Sequence, residues 1–263
     1  MEKITRTALI TGASAGIGAT FARFLAAEGY NLILVARREE RLRELSEALS
    51  VAHGVRCEFL AADLTHPDAP RKIIDHATAL GVNIDFLVNN AGLSGRGKFV
   101  DTPWSQLAGE IQLMITALTE LSHRVAPGMK ERGWGRIINL SSLAAFSPPG
   151  ASLLYTAIKS YVLLLSESLD MELKPHGVHV TALCPGFTWS EFHDVMGTRE
   201  EAGKLPGFLW QEPEDVVREA YAAVMKGKPV CVPGMVNKMI AGAMRPVPES
   251  VRYQLGNRFN PFK

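Results

Sequence analysis

Seven short apolar runs alternate along the chain with segments of helical period: TALI at 7–10, NLILVA at 31–36, VRCEFLAA at 55–62, IDFLVNNAG at 84–92, GRIINLSS at 135–142, VHVTALCPG at 178–186 and KPVCVPG at 228–234. Within each run the apolar residues are continuous rather than alternating, the pattern of a strand covered on both faces. A helix between successive strands makes a parallel sheet with crossover connections. The order predicts an α/β chain with a doubly wound, seven-stranded parallel sheet and helices on both faces. No linker, repeat or low-complexity segment divides the 263 residues, so residues 1–263 read as a single domain.

The connecting helices carry their own punctuation. IGATFARFLAAEG ends at Gly29, a C-terminal stop, and REERLRELSEAL is charged on one face. A third helix is expected from near Pro67 to Gly81, a long one over 104–132 with Pro127 near its end, and another over PEDVVREAYAAVMKG. Residues 187–212 have no clear period and hold Phe187, Trp189, Phe192, Phe208 and Trp210, which suggests a lid over a substrate site. Residues 233–263 read as a C-terminal extension.

Composition removes several function classes. A formal net charge of +1 with scattered Lys and Arg offers neither a nucleic-acid groove nor a patch for anionic membranes. Cys57, Cys184 and Cys231 lie far apart without a CxxC, and read as small core residues in a reducing compartment. The seven histidines show no metal spacing; His176 and His179 merely flank Gly177. No apolar run approaches the ~20 residues that span a bilayer. The N-terminus reads as the first strand and turn rather than a signal peptide, and the protein as cytoplasmic.

The first strand runs into TGASAGIG, residues 11–18. Gly12, Gly16 and Gly18 permit a tight turn and close backbone approach to a ligand, and the helix that follows offers free N–H groups to a phosphate. The spacing is Gly-x-x-x-Gly-x-Gly, a variant of the usual dinucleotide fingerprint at the first βα turn of a Rossmann-type sheet. At the end of the second strand, VARR replaces the acidic residue that would bind a ribose 2′-hydroxyl. Arg37, with Arg38 and Ser14, is placed to pair with a 2′-phosphate, which points to NADP(H).

Tyr155 and Lys159 sit four residues apart and share one helical face. Taken alone, they are better explained as a packed ring and a lysine whose head reaches water. The set TGASAGIG, VARR, Asp63-Leu64, NNAG at 89–92, Ser142 thirteen residues before Tyr155, and YTAIK tilts the balance. In order and spacing, over nearly the whole chain, it resembles the short-chain dehydrogenase/reductase family.

That resemblance implies roles. Ser142, Tyr155 and Lys159 match the catalytic positions. Gly12, Ser14, Gly16, Ile17 and Gly18 would line the pyrophosphate and adenosine ribose. Asp63 and Leu64 would meet the adenine, and Asn90 the stretch between adenosine and nicotinamide. Pro185, Gly186 and Thr188 match the segment holding the nicotinamide end, with Ser190 where the family usually has Thr.

Tyrosine loses its proton near pH ~10, so the positive charge of Lys159, which also reaches the nicotinamide ribose, would favour the phenolate together with that of the oxidised nicotinamide. Ser142 would steady the substrate oxygen. The reaction implied is hydride transfer between NADP(H) and an apolar carbonyl or alcohol substrate: an aldehyde, a ketone or a 3-oxoacyl thioester. A homodimer or homotetramer built on the fourth and fifth helices is implied as well.

One position departs. The Asn that stabilises a kink in the family's fourth helix, and joins a water-linked relay to the lysine, is Met114 here. The competing reading is therefore an NADP-binding regulatory or structural protein with impaired turnover.

Overall fold

The computed structural model of the protein describes residues 5–93, 99–148, 153–189, 206–244, 247–248, 250–251 and 253–254. Its strands are β1 (Thr7–Thr11), β2 (Asn31–Ala36), β3 (Cys57–Ala61), β4 (Ile84–Asn89), β5 (Gly135–Leu140), β6 (Val178–Leu183), β7 (Phe187–Thr188), β8 (Trp210–Gln211) and β9 (Val230–Cys231). All but β7 and β8 form one seven-stranded parallel sheet in the order β3-β2-β1-β4-β5-β6-β9. Its helices are α1 (Gly16–Ala27), α2 (Glu39–His53), α3 (Ala69–Ala79), α4 (Trp104–Ile111), α5 (Ala117–Glu131), α6 (Leu153–Leu173), α7 (Pro213–Met225) and α8 (Met235–Met244).

Alternate residues of each strand feed two cores, which is why the strands read as unbroken apolar runs. Ala8, Ile10, Leu32, Leu34, Phe86 and Val88 face α1, α2 and α7, where Phe21, Leu25, Leu42, Leu49, Val217 and Val224 meet them. Leu9, Ile33, Leu87, Ile137 and Val180 face α3, α5 and α6 through Ile73, Leu121, Val125, Met129 and Leu173. Each such side chain contributes about 1.5–3 kcal/mol on burial.

Several boundaries differ from expectation. α3 starts at Ala69, with Pro70 in its first turn, rather than near Pro67. The seventh strand of the sheet is two residues long and pairs only with Ala182 and Leu183. The segment at 187–212 contributes a two-stranded parallel ribbon, Phe187 opposite Trp210 and Thr188 opposite Gln211. Ser190 and Phe192 lie outside the described residues. The long fourth helix is interrupted by a π-turn over Gln112–Thr116, which separates α4 from α5.

A polar chain crosses the middle of the sheet. Asn89 Nδ2 donates to Asn139 Oδ1 at 2.9 Å and to Ser122 Oγ at 3.0 Å, and Asn139 Nδ2 donates to Ser166 Oγ at 3.0 Å. All four residues are buried, so each of these bonds offsets a desolvation cost. They pin β4 and β5 to α5 and α6 in a single register, which apolar contacts alone would not impose. Asn139→Leu keeps the volume but removes the acceptor of the Asn89 amide and the donor to Ser166 Oγ. The urea midpoint is expected to fall by the equivalent of about 1–3 kcal/mol at constant m; a midpoint unchanged from the parent would remove the network from the account of stability.

Candidate active site

Between β1 and β4 the strand order reverses, and such a crevice at the carboxyl ends of the strands is where ligands enter a sheet of this kind. The turn after β1 has Gly12 at φ +67° and Gly16 at φ +51°, both left-handed. A Cβ on Gly12 would lie 2.7 Å from Asn90 Nδ2 and 2.9 Å from Ala91 Cα, and one on Gly18 would strike the Gly12 carbonyl and the same amide. Asn90 Nδ2 in turn donates to the carbonyls of Thr11 (2.9 Å) and Gly12 (3.2 Å).

The close approach that Gly12 and Gly18 permit is therefore first of all to the chain itself, and Asn90 uses its amide to tie the turn to β4. Ile17 packs into the core beneath α1. What remains for a ligand is the N-terminus of α1. It begins after Ala15 with no side-chain cap and no acidic residue in its first turn, which suits a pyrophosphate.

Beside the turn, the exposed Arg37 and Arg38 close β2, and Arg38 Nε donates to Ser14 Oγ at 3.2 Å. Glu39 and Glu40, the nearest acids, point back to Arg43 at 3.0 and 3.2 Å. Asp63 Oδ1 accepts from the Thr65 N–H at 3.0 Å and from its hydroxyl at 2.8 Å. Burial pushes that carboxyl up, but the two Thr65 donors and the charge of Arg37 outweigh it and hold it below its ordinary range. Leu64 is buried in the core, so its main chain is what it can offer a ligand.

Ser142, Tyr155 and Lys159 come together where β5 ends and α6 begins. Ser142 Oγ caps a short 3-10 turn by accepting from the Ala144 N–H at 3.1 Å, which leaves its own hydrogen available to another acceptor. The Tyr155 hydroxyl is hydrogen-bonded to Ser142; burial nonetheless raises the phenol above its ordinary value. Lys159 is 4% exposed, donates to the Leu140 carbonyl at 2.7 Å, and has its nitrogen 5.5 Å from the Tyr155 ring centre.

Loss of water around the ammonium brings Lys159 down to about 8. At Tyr155 the loss of water outweighs the bond from Ser142, so the chain's own groups leave the phenol above its ordinary value. Ser141, which sequence reasoning passed over, donates its hydroxyl to the Lys159 carbonyl at 2.6 Å and anchors α6 beside β5. Its only signal was the doubled serine.

The segment after β6 docks on the same place. The Leu143 N–H donates to the Pro185 carbonyl at 2.8 Å, and the buried Thr188 hydroxyl donates to the Gly186 carbonyl at 3.3 Å. Beyond it Trp189 stacks on Trp210 at 4.0 Å, with Phe187 5.5 Å from Trp210, and the faces of Phe187, Trp189 and Phe208 remain open to solvent.

Met114 is 1% exposed and sits inside the π-turn, packed with Leu118, Ile158 and Val162. The helix departs from α-geometry here without an Asn. A Cβ on Gly92 would find the Met114 sulfur at 3.7 Å and the Lys159 nitrogen at 3.8 Å, so both line the same small space.

The chain matches the short chain dehydrogenase family model over residues 6–201. It is 31% identical over 223 residues to the very-long-chain 3-oxoacyl-CoA reductase of Bos taurus, covering 82% of this chain and 68% of that protein. Among solved structures it is similar to a short-chain dehydrogenase from Sphingobium yanoikuyae in complex with NADPH (34% identity, TM-score 0.80, 92% of this chain and 96% of that one). It is also similar to the bulky-bulky ketone specific alcohol dehydrogenase from Comamonas testosteroni (30% identity, TM-score 0.77, 94% and 97%). With a glycine turn at the switch point, a Ser-Tyr-Lys cluster at the end of β5, and a family model spanning well over half its length, the chain belongs to the short-chain dehydrogenase family.

Proposed function

We propose that this oxidoreductase, a single domain over residues 1–263, reduces a bulky apolar carbonyl compound with NADPH, or oxidises the matching alcohol. The convergence of Ser142, Tyr155 and Lys159 carries the reading. Arg37, Arg38 and Ser14 take the 2′-phosphate, the N-terminus of α1 the pyrophosphate, and Asp63 with the Leu64 main chain the adenine. Pro185, Gly186 and Thr188 hold the nicotinamide end.

Bound NADPH supplies the hydride for the carbonyl carbon, and its oxidised form adds a positive charge near Tyr155. Ser142 turns its hydroxyl hydrogen from Tyr155 to the substrate oxygen as charge builds there. Tyr155 delivers its proton to that oxygen, completing the alcohol. Lys159, across the ring, favours the phenolate that is left and turns its remaining N–H groups to the ribose.

The aromatic ribbon supports an apolar substrate under a lid at 187–212. So do the names of two relatives, one acting on very-long-chain 3-oxoacyl-CoA and one on bulky-bulky ketones. The even charge and the reduced cysteines support a cytoplasmic setting. Exposed Phe99, Val100 and Trp104 at the start of the fourth helix support a homodimer or homotetramer. Met114 keeps one other reading alive, a protein that binds NADP and does not turn over. NADPH oxidation with a panel of aryl ketones, long-chain 3-oxoacyl thioesters and simple aldehydes separates the two, since tight NADPH binding without turnover on any of them favours the second.

Native protein should bind NADPH at least about tenfold more tightly than NADH, from charge-assisted contacts to the extra phosphate, with the order reversed in Arg37→Asp. Equal affinities would remove Arg37 from cofactor selection. Tyr155→Phe should bind NADPH normally while reduction falls by about 10² or more, and near-native turnover would return the Tyr155–Lys159 pair to simple packing.

Lys159 also carries a stability signature. Its folded pKa of about 8 lies below its ordinary 10.5, so the buried ammonium burdens the fold fully below pH 8. The burden fades as pH rises towards 10.5, because over that window only the unfolded chain keeps the proton. Lys159→Met should raise the urea midpoint at pH 7, and the gain should shrink by pH 10. A lower midpoint at pH 7 would contradict this.

A further inference from the structure

α8 buries the wrong residues for an ordinary surface helix. Its buried positions are Asn237 and Ala241, while Met235 and Met239 are 71% and 68% exposed. An amide taken from water is costly unless its hydrogen bonds are replaced, so the docking of this helix depends on what Asn237 meets. Asn237 Nδ2 donates to the Pro233 carbonyl at 3.0 Å, and the Asn237 and Gln211 amides meet at 2.7 Å. Gln211 belongs to β8, and its carbonyl accepts from the Trp189 N–H at 3.0 Å. On its other side the Asn237 amide fills the place of a side chain at Gly186: a Cβ there would lie 2.5 Å from Oδ1, 2.7 Å from Nδ2 and 2.8 Å from Cγ.

Three pieces of chain therefore close on one 4%-exposed amide: the Gly186–Trp189 stretch, β8 and the start of α8. The last is fixed in turn by Glu219, whose carboxylate accepts from the Gly234 N–H at 2.9 Å and from Lys238 Nζ at 2.7 Å.

We infer that Asn237 is a positioning residue for the nicotinamide end of the cofactor, holding Gly186 and Thr188 in place from behind. This rests on the reading that Pro185, Gly186 and Thr188 grip that end. Asn237 itself touches the segment and not the reacting atoms. The adenosine end is held elsewhere, at Ser14, Arg37 and Arg38, so the two ends respond differently when Asn237 is lost.

Fluorescence and calorimetric titrations with NADPH and with 2′,5′-ADP, which has the adenosine 2′-phosphate but no nicotinamide, read the two ends separately. In Asn237→Leu, the Kd and KM for NADPH should rise by about tenfold while the Kd for 2′,5′-ADP stays within about twofold of native. Gly186→Ala reaches the same contact from the opposite side, pressing a methyl group on the Asn237 amide, and should give the same split. Equal weakening of both ligands, or weakening of neither, in the variants that retain the native circular dichroism spectrum overturns the inference. A native protein that binds 2′,5′-ADP but gains nothing from the nicotinamide half overturns instead the reading on which it rests.

Discussion

In the proposed mechanism Lys159 has to carry a charge to act on Tyr155 and has to be buried to reach it, and these two demands conflict. The ammonium receives the Leu140 carbonyl in place of water, and its proton is held less firmly than that of an exposed lysine. Such a group stays in position only if the surrounding chain is fixed by other means. Ser141 clamps the Lys159 main chain to the end of β5, and the Asn89–Asn139–Ser166 chain locks β4, β5 and α6 beneath it. The polar core thus serves as the foundation on which a costly cation is held.

The same division of labour runs through the cofactor crevice. Groups that looked like ligand contacts, Gly12, Gly18 and the Asn90 amide, are engaged with one another. They produce a rigid turn whose product is an uncapped helix terminus. In the proposed reading, the contacts that would distinguish one dinucleotide from another fall to Ser14, Arg37 and Arg38, on the rim. Shape is set by buried residues, and on that reading selection would fall to exposed ones, which could vary without disturbing the first.

Much of this was legible in the sequence because it depends on short-range pattern. Continuous apolar runs, helix stops at Gly29 and Gly81, and the Tyr155–Lys159 spacing follow from local rules, and the family resemblance adds Ser142. What was not legible depends on contacts between distant segments. No local pattern announces that Asn237 fills the space at Gly186, that Ser141 rather than Ser142 holds α6, or that Leu64 spends its side chain on the core. Nor does spacing reveal that burial alone raises Tyr155. At Met114 the family resemblance points to a kink, but local pattern does not show that it takes the form of a π-turn. Its sequence, QLMIT, reads as ordinary helix.

A π-turn is how a helix absorbs one residue more than its ends require. Each residue of an α-helix turns the chain by about 100°, so the surplus residue rotates everything that follows relative to everything before. The long helix between β4 and β5 is in effect two helices with independent azimuths. α5 can aim Leu121, Val125 and Met129 at the sheet, while α4 turns Leu107 and Glu110 inward on a heading of its own. A single-residue deletion between Gln112 and Thr116 would merge them into one rod and force a choice between those headings. The length of this helix, more than the identity of residue 114, then decides which side chains reach the sheet.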